Sequence, residues 1–200
     1  MRLYSLLICK KRYLVVAGEE LAQGEYINGL QGDEMSRGKE TPEELIGGLL
    51  RSKGLSLGLA ESCTGGMISA RITGVPGSSE YFAGGVVSYH NRVKEEVLGV
   101  PGDQLSEYGA VSEEVVRSMA AGARRVLKTD IGLAVTGIAG PGGGTPSKPV
   151  GLVYLALDTP DETVVRKLML EGNRLQIRTR VSEEAMDMLR KYLEKGKKKN

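Results

Sequence analysis

Tryptophan is absent from this chain of 200 residues, and phenylalanine and histidine occur once each. With His90 the only imidazole, a metal centre built on several histidines is excluded, and no Cys/His group has ligand spacing. Cys9 and Cys63 are too few for a disulfide framework. No charge of one sign dominates: 27 Lys and Arg face 25 Asp and Glu, a net charge of +2. Neither nucleic acid nor an anionic membrane is therefore expected as the main partner. Long hydrophobic runs are missing too. The apolar start Leu3 to Cys9 is cut by Lys10-Lys11-Arg12, too short for a membrane span and without a convincing cleavage site. The expected compartment is the cytoplasm.

What is abundant is glycine, 28 residues gathered in a few loops, as in backbone-lined ligand sites. Residues 1–40 contain two β-prone runs, Leu3–Cys9 and Tyr13–Val16, that read as a short hairpin, followed by an aperiodic stretch. They are taken as an N-terminal extension or linker. Residues 41–195 read as one domain, and 196–200 as a basic tail.

Thr41-Pro42-Glu43-Glu44 is a capping box with proline at the first helical position, and Gly54 stops that helix. A buried strand is expected over 55–60, a helix over 64–73 and a strand over 83–89. A helix over 91–98 is expected with Asn91 as its cap. Ser112 caps a longer helix whose stripe is Val115, Met119, Ala123 and Val126. A strand over 131–136 leads into the loop Gly137–Pro149, then a hairpin of 152–157 and 164–170, and a final helix over 174–195. The alternation implies an α/β (α+β) fold, a single three-layer domain with a mixed β-sheet flanked by helices.

Three segments could carry chemistry. Glu61-Ser62-Cys63-Thr64-Gly65-Gly66 lies at a strand-to-helix junction, where open α/β sheets place ligands. Free amides of Thr64, Gly65 and Gly66 could hold an anion or a developing oxyanion; Ser62 or Thr64 could equally be a plain helix cap. Ala60 and Thr64 stand where the α/β-hydrolase elbow has glycines, so that motif does not apply. The second segment, Tyr81-Phe82-Ala83-Gly84-Gly85-Val86-Val87-Ser88-Tyr89-His90-Asn91-Arg92-Val93-Lys94, runs from a strand into a short helix and brings Tyr89 and Lys94 close in sequence. A lysine can activate a serine if burial lowers its pKa, and a tyrosine can relay the proton; each could also be an ordinary surface or strand residue. The third, Thr136-Gly137-Ile138-Ala139-Gly140-Pro141-Gly142-Gly143-Gly144, has more glycine than a turn needs and suits backbone contact with a ligand. It lacks the Gly-Lys-Ser/Thr of a phosphate-binding P-loop, and no helix opens on it.

Taken together with Gly109-Ala110-Val111-Ser112-Glu113-Glu114 and Lys148-Pro149-Val150-Gly151, these segments closely resemble the CinA C-terminal domain family, over roughly 41–193. The resemblance implies a nicotinamide-nucleotide amidohydrolase that converts nicotinamide mononucleotide to nicotinate mononucleotide and ammonia. It implies no cofactor and no metal, a Ser62, Tyr89 and Lys94 catalytic set, and a homodimer or higher homo-oligomer. Thr64, Gly65, Gly66, Thr136, Gly137, Gly140, Pro141, Gly142, Gly143 and Arg174 are the expected substrate-binding residues. His90, beside Tyr89, departs from the small polar residue more usual there, and Leu170 replaces an aromatic before Gly172-x-Arg174. Two other readings stand beside it: a pyridine-nucleotide-binding module without turnover, and a hydrolase using Cys63 as nucleophile or His90 as base.

Overall fold

The computed structural model describes residues 40–195; the expected hairpin and linker of 1–39 and the tail 196–200 lie outside them. Helix α1 (Pro42–Lys53) starts on the expected box: Thr41 accepts from the Glu44 amide while the Glu44 carboxylate takes the Thr41 amide. Gly54 ends it in the left-handed conformation. Then follow β1 (Leu57–Glu61), α2 (Met67–Thr73), β2 (Phe82–Val87), α3 (Asn91–Glu96), α4 (Gly102–Glu107), α5 (Glu113–Leu127), β3 (Ile131–Gly137), β4 (Leu152–Asp158), β5 (Thr163–Met169) and α6 (Arg174–Lys195).

The five strands form one mixed sheet in the order β2-β1-β3-β4-β5. β1 runs parallel to β2 and β3, whereas β4 and β5 are added antiparallel. The alternation of β1 sorts the two cores. Leu57 and Leu59 join Ile46, Ile68, Ile72 and the α6 residues Ile177, Val181, Ala185 and Leu189 on one face. Ala60 joins Val115, Met119, Ala120 and Ala123 of α5 on the other. This is the expected three-layer α/β domain. No helix of the described residues is long and apolar enough to cross a membrane.

The α5 face of the sheet is built from small residues: Gly58, Ala60, Gly132, Ala134 and Ala156. A Cβ on Gly132 would strike the Ala120 carbonyl and Arg124, and one on Gly122 would strike the Leu98 carbonyl. The helix therefore sits backbone-close on the strands.

Four local expectations are corrected. Helix α2 begins at Met67, not at Thr64. His90 rather than Asn91 caps α3, its Nδ1 accepting from the Arg92 amide at 3.2 Å. Val126 is exposed, because α5 ends one residue later and Lys128 turns left-handed. The short helix α4, whose N-cap Pro101 makes no side-chain cap bond, has no counterpart in the sequence reading.

Candidate active site

The carboxyl ends of β1, β2 and β3 deliver Ser62, Ser88 with Tyr89, and Gly137 to one edge of the sheet. From β1 the chain crosses to one side and β3 lies on the other, so this edge is where the strand order reverses. A cavity of about 270 Å³ opens there, and Ser62, Tyr89, Asn91, Lys94, Thr136, Gly137, Gly140, Gly142, Gly143 and Arg174 are among its lining residues.

Lys94 is 1% exposed, and its Nζ donates to Ser62 Oγ at 3.2 Å and to the Ser88 carbonyl at 2.5 Å. A neutral amine in this place can donate to Ser88 and turn its lone pair toward the Ser62 hydroxyl. No carboxylate forms an ion pair with Lys94 among the described residues. Burial holds its pKa below the ordinary lysine value, with the Cys63 thiol acting weakly in the opposite direction. The arrangement sets a buried amine beside a serine hydroxyl.

Tyr89 is 61% exposed, and its hydroxyl oxygen accepts from Arg174 Nη2 at 2.9 Å. Nη1 of the same guanidinium donates to the Gly140 carbonyl, also at 2.9 Å. Arg174 thus joins the start of α6, the glycine loop and the tyrosine across the mouth of the cavity. The O–H of Tyr89 is its remaining donor. The Thr136 hydroxyl donates to the Ala110 carbonyl at 2.7 Å, tying β3 to the segment ahead of α5.

The turn after Ser62 differs from expectation in its amides. Gly65 and Gly66 both take positive φ, 61° and 95°, which lets the chain reverse tightly into α2. The Gly65 amide donates to the Ser62 carbonyl, and the Gly66 amide to Glu61. Glu61 is 1% exposed and also accepts from the Ile68 amide at 3.2 Å and from the Ser69 amide and hydroxyl at 2.8 and 2.7 Å. The protein's own carboxylate fills the start of α2, so Gly65 and Gly66 cannot supply an oxyanion site. The amides of Cys63 and Thr64 have no partner in another residue among those described. Thr64, Gly65 and Gly66 do not line the cavity, and Pro141 faces solvent.

Sequence reasoning missed Glu61. Its signal was an acid closing an apolar strand, but its partners lie five to eight residues downstream, outside any local capping box. Glu61→Gln should cost about 2–3 kcal/mol, because an amide N–H₂ would face backbone donors in a buried place. Denaturant unfolding measures it.

The alternative groups fare differently. Burial pushes the Cys63 thiol up to about 12, helped by the charge of Glu61 and opposed by Arg174 and Arg178, so it stays protonated near neutrality. His90 is exposed and spends Nδ1 on its cap. A larger concavity of about 860 Å³ between the β4–β5 turn and the end of α6 holds no nucleophile–base pair. No group of three or more metal-binding side chains occurs among the described residues.

The sequence matches the CinA C-terminal domain family over residues 39–193. A competence-damage inducible protein of Caldanaerobacter subterraneus subsp. tengcongensis is 52% identical over 171 residues, covering 86% of this chain and 40% of that protein. A CinA-like protein of Kosmotoga olearia is 48% identical over 170 residues, covering 85% of this chain and 40% of its own length. The chain therefore spans about two-fifths of these curated relatives. The crystal structure of the competence/damage inducible protein CihA from Agrobacterium tumefaciens superposes with a TM-score of 0.73 at 37% identity, over 80% of this chain and all of that one. The competence damage-inducible protein A of Klebsiella pneumoniae gives 0.75 at 29% identity, over 79% and 100%.

Proposed function

The chain belongs to the CinA C-terminal domain family, and from that premise and the geometry at Ser62 we propose that it is a serine amidohydrolase of nicotinamide mononucleotide. The observation that carries the reading is the buried Lys94 amine, 3.2 Å from Ser62 Oγ and without an ion-pair partner among the described residues. The pyridinium ring is cationic, so a neutral amine is the one form of lysine that admits it without repulsion.

Lys94 takes the Ser62 proton as Oγ bonds to the carboxamide carbon. The oxyanion is received by the Cys63 amide, in place of the expected Thr64, Gly65 and Gly66 donors. The C–N bond then breaks as Tyr89 protonates the leaving nitrogen, and the proton held by Lys94 replaces the one Tyr89 gave. Ammonia departs and leaves a nicotinoyl ester on Ser62. Water, deprotonated by Lys94, attacks that ester, and Ser62 recovers its proton. The amides of Gly142 and Gly143 have no partner among the described residues, which supports their use as donors to the ribose phosphate, with Arg174 at the same rim.

Incubation with nicotinamide mononucleotide should release one ammonia per nicotinate mononucleotide formed, at a rate unchanged by EDTA. Binding without ammonia would leave a nucleotide-binding module instead, and a chelator-sensitive rate would contradict the metal-free route. We also propose a cytoplasmic homo-oligomer, which light scattering of the pure protein tests for assembly.

A further inference from the structure

Arg178 stands one turn beyond Arg174 on α6 and does not line the cavity. Its Nη2 donates to the Thr64 carbonyl at 2.6 Å. That carbonyl shares a peptide with the Gly65 amide, which donates to the Ser62 carbonyl at 3.1 Å. The Ser62 carbonyl in turn shares a peptide with the Cys63 N–H, which has no partner in another described residue. A charge, two peptide groups and an N–H that no other described residue accepts from are thus joined in series, and the last of them belongs to a residue lining the cavity beside Ser62. Each hydrogen bond in such a chain polarises the next, most strongly where the dielectric is low.

Arg178 also has an unusual inventory. No carboxylate pairs with its guanidinium among the described residues, and its Nε is buried without a partner. A buried, unpaired donor on a cation is costly, so its retention calls for a use. Its field reaches the site: burial dominates the Cys63 thiol, yet the charges of Arg174 and Arg178 are both felt there.

We infer that Arg178 is a positioning residue for the reaction: through the Thr64 carbonyl and the Gly65 amide it orients and polarises the Cys63 N–H that receives the oxyanion. The inference rests on the amidase reading of the same cavity. It predicts an effect on kcat from a side chain that touches no substrate.

The test uses the full chain carrying Arg178→Met, Arg178→Gln or Arg178→Lys. Arg178→Met should lower kcat on the order of 10- to 100-fold, a fraction of the loss when a whole oxyanion donor is removed. KM should stay within about threefold, since the interaction is made in the transition state. Arg178→Lys, which keeps donor and charge, should recover most of the loss, and Arg178→Gln, which keeps only a donor, little of it. A raised KM with kcat intact would make Arg178 a substrate-anion contact and overturn the inference. So would a Gln variant as active as the Lys variant. If the Met variant does not fold, as judged by far-UV circular dichroism, the Lys–Gln comparison decides alone. The Cys63 amide proton gives a readout independent of turnover: its resonance should move upfield in Arg178→Gln and hold in Arg178→Lys. If the wild-type protein releases no ammonia, that shift still upholds the relay while the amidase reading falls. An unmoved Cys63 resonance overturns the relay whatever the rates.

Discussion

Ser62→Ala is expected to remove ammonia release, by on the order of 10⁴-fold or more, the scale on which a serine-based site loses its nucleophile. The change deletes one hydroxyl from a turn whose backbone is held by Glu61 and Arg178, so the fold and much of the substrate binding should persist. Cys63→Ala should keep most activity, because a thiol pushed up to about 12 holds its proton at any working pH. Steady-state kinetics with calorimetric binding for both variants checks the pair. An active Ser62→Ala beside an inactive Cys63→Ala would reverse the assignment.

Lys94 carries the second large effect. Lys94→Ala and Lys94→Arg should both be severely impaired, the first for want of a base and the second because a guanidinium stays charged. His90→Ala should cost little. The wild-type rate should rise with pH through the lowered pKa of Lys94, as the ammonium gives up its proton. A profile governed by a group near 6.5, lost in His90→Ala, would point to the imidazole instead. The same burial has a linked effect on stability. A lysine with a lowered folded pKa binds fewer protons folded than unfolded, so stability increases with pH between that pKa and the ordinary value near 10.5. Relative to Lys94→Met, the parent should therefore gain stability as pH is raised from 7 to 10 in denaturant titrations.

The parts of the fold legible in the sequence are those decided by short-range chemistry. Thr41 with Glu44, Ser112 ahead of two acids, and Gly54 mark helix ends through bonds spanning three or four residues. The bounds of α6 and the β4–β5 hairpin follow from periodicity and turn residues in the same way. The start of α2 was misread because the carboxylate that caps it belongs to the preceding strand. His90 displaced Asn91 as a cap because an imidazole nitrogen can accept as well as an amide oxygen. Ser62, Tyr89 and Lys94 could be named from motifs. Their geometry could not, since the bonds that fix it join Lys94 to Ser62 and Arg174 to Tyr89 across 32 and 85 positions. Arg178 had no motif at all; its meaning lies in a carbonyl 114 residues away.

The glycines under α5 have a mechanical corollary. Gly122 lets the helix bear directly on the Leu98 carbonyl, and the segment from Val97 to Val100 is bonded to the carbonyls of Val93, Lys94 and Glu95. The opposite side of α5 rests on Gly132 of β3. Sheet, helix and the lysine-bearing helix therefore form a stack of rigid spacers without slack. The depth to which Lys94 reaches toward Ser62 is gauged from behind, by the thickness of that stack. A single methyl inserted at Gly132 or Gly122 would act as a shim, shifting Lys94 relative to Ser62 from a point with no line of sight to the cavity.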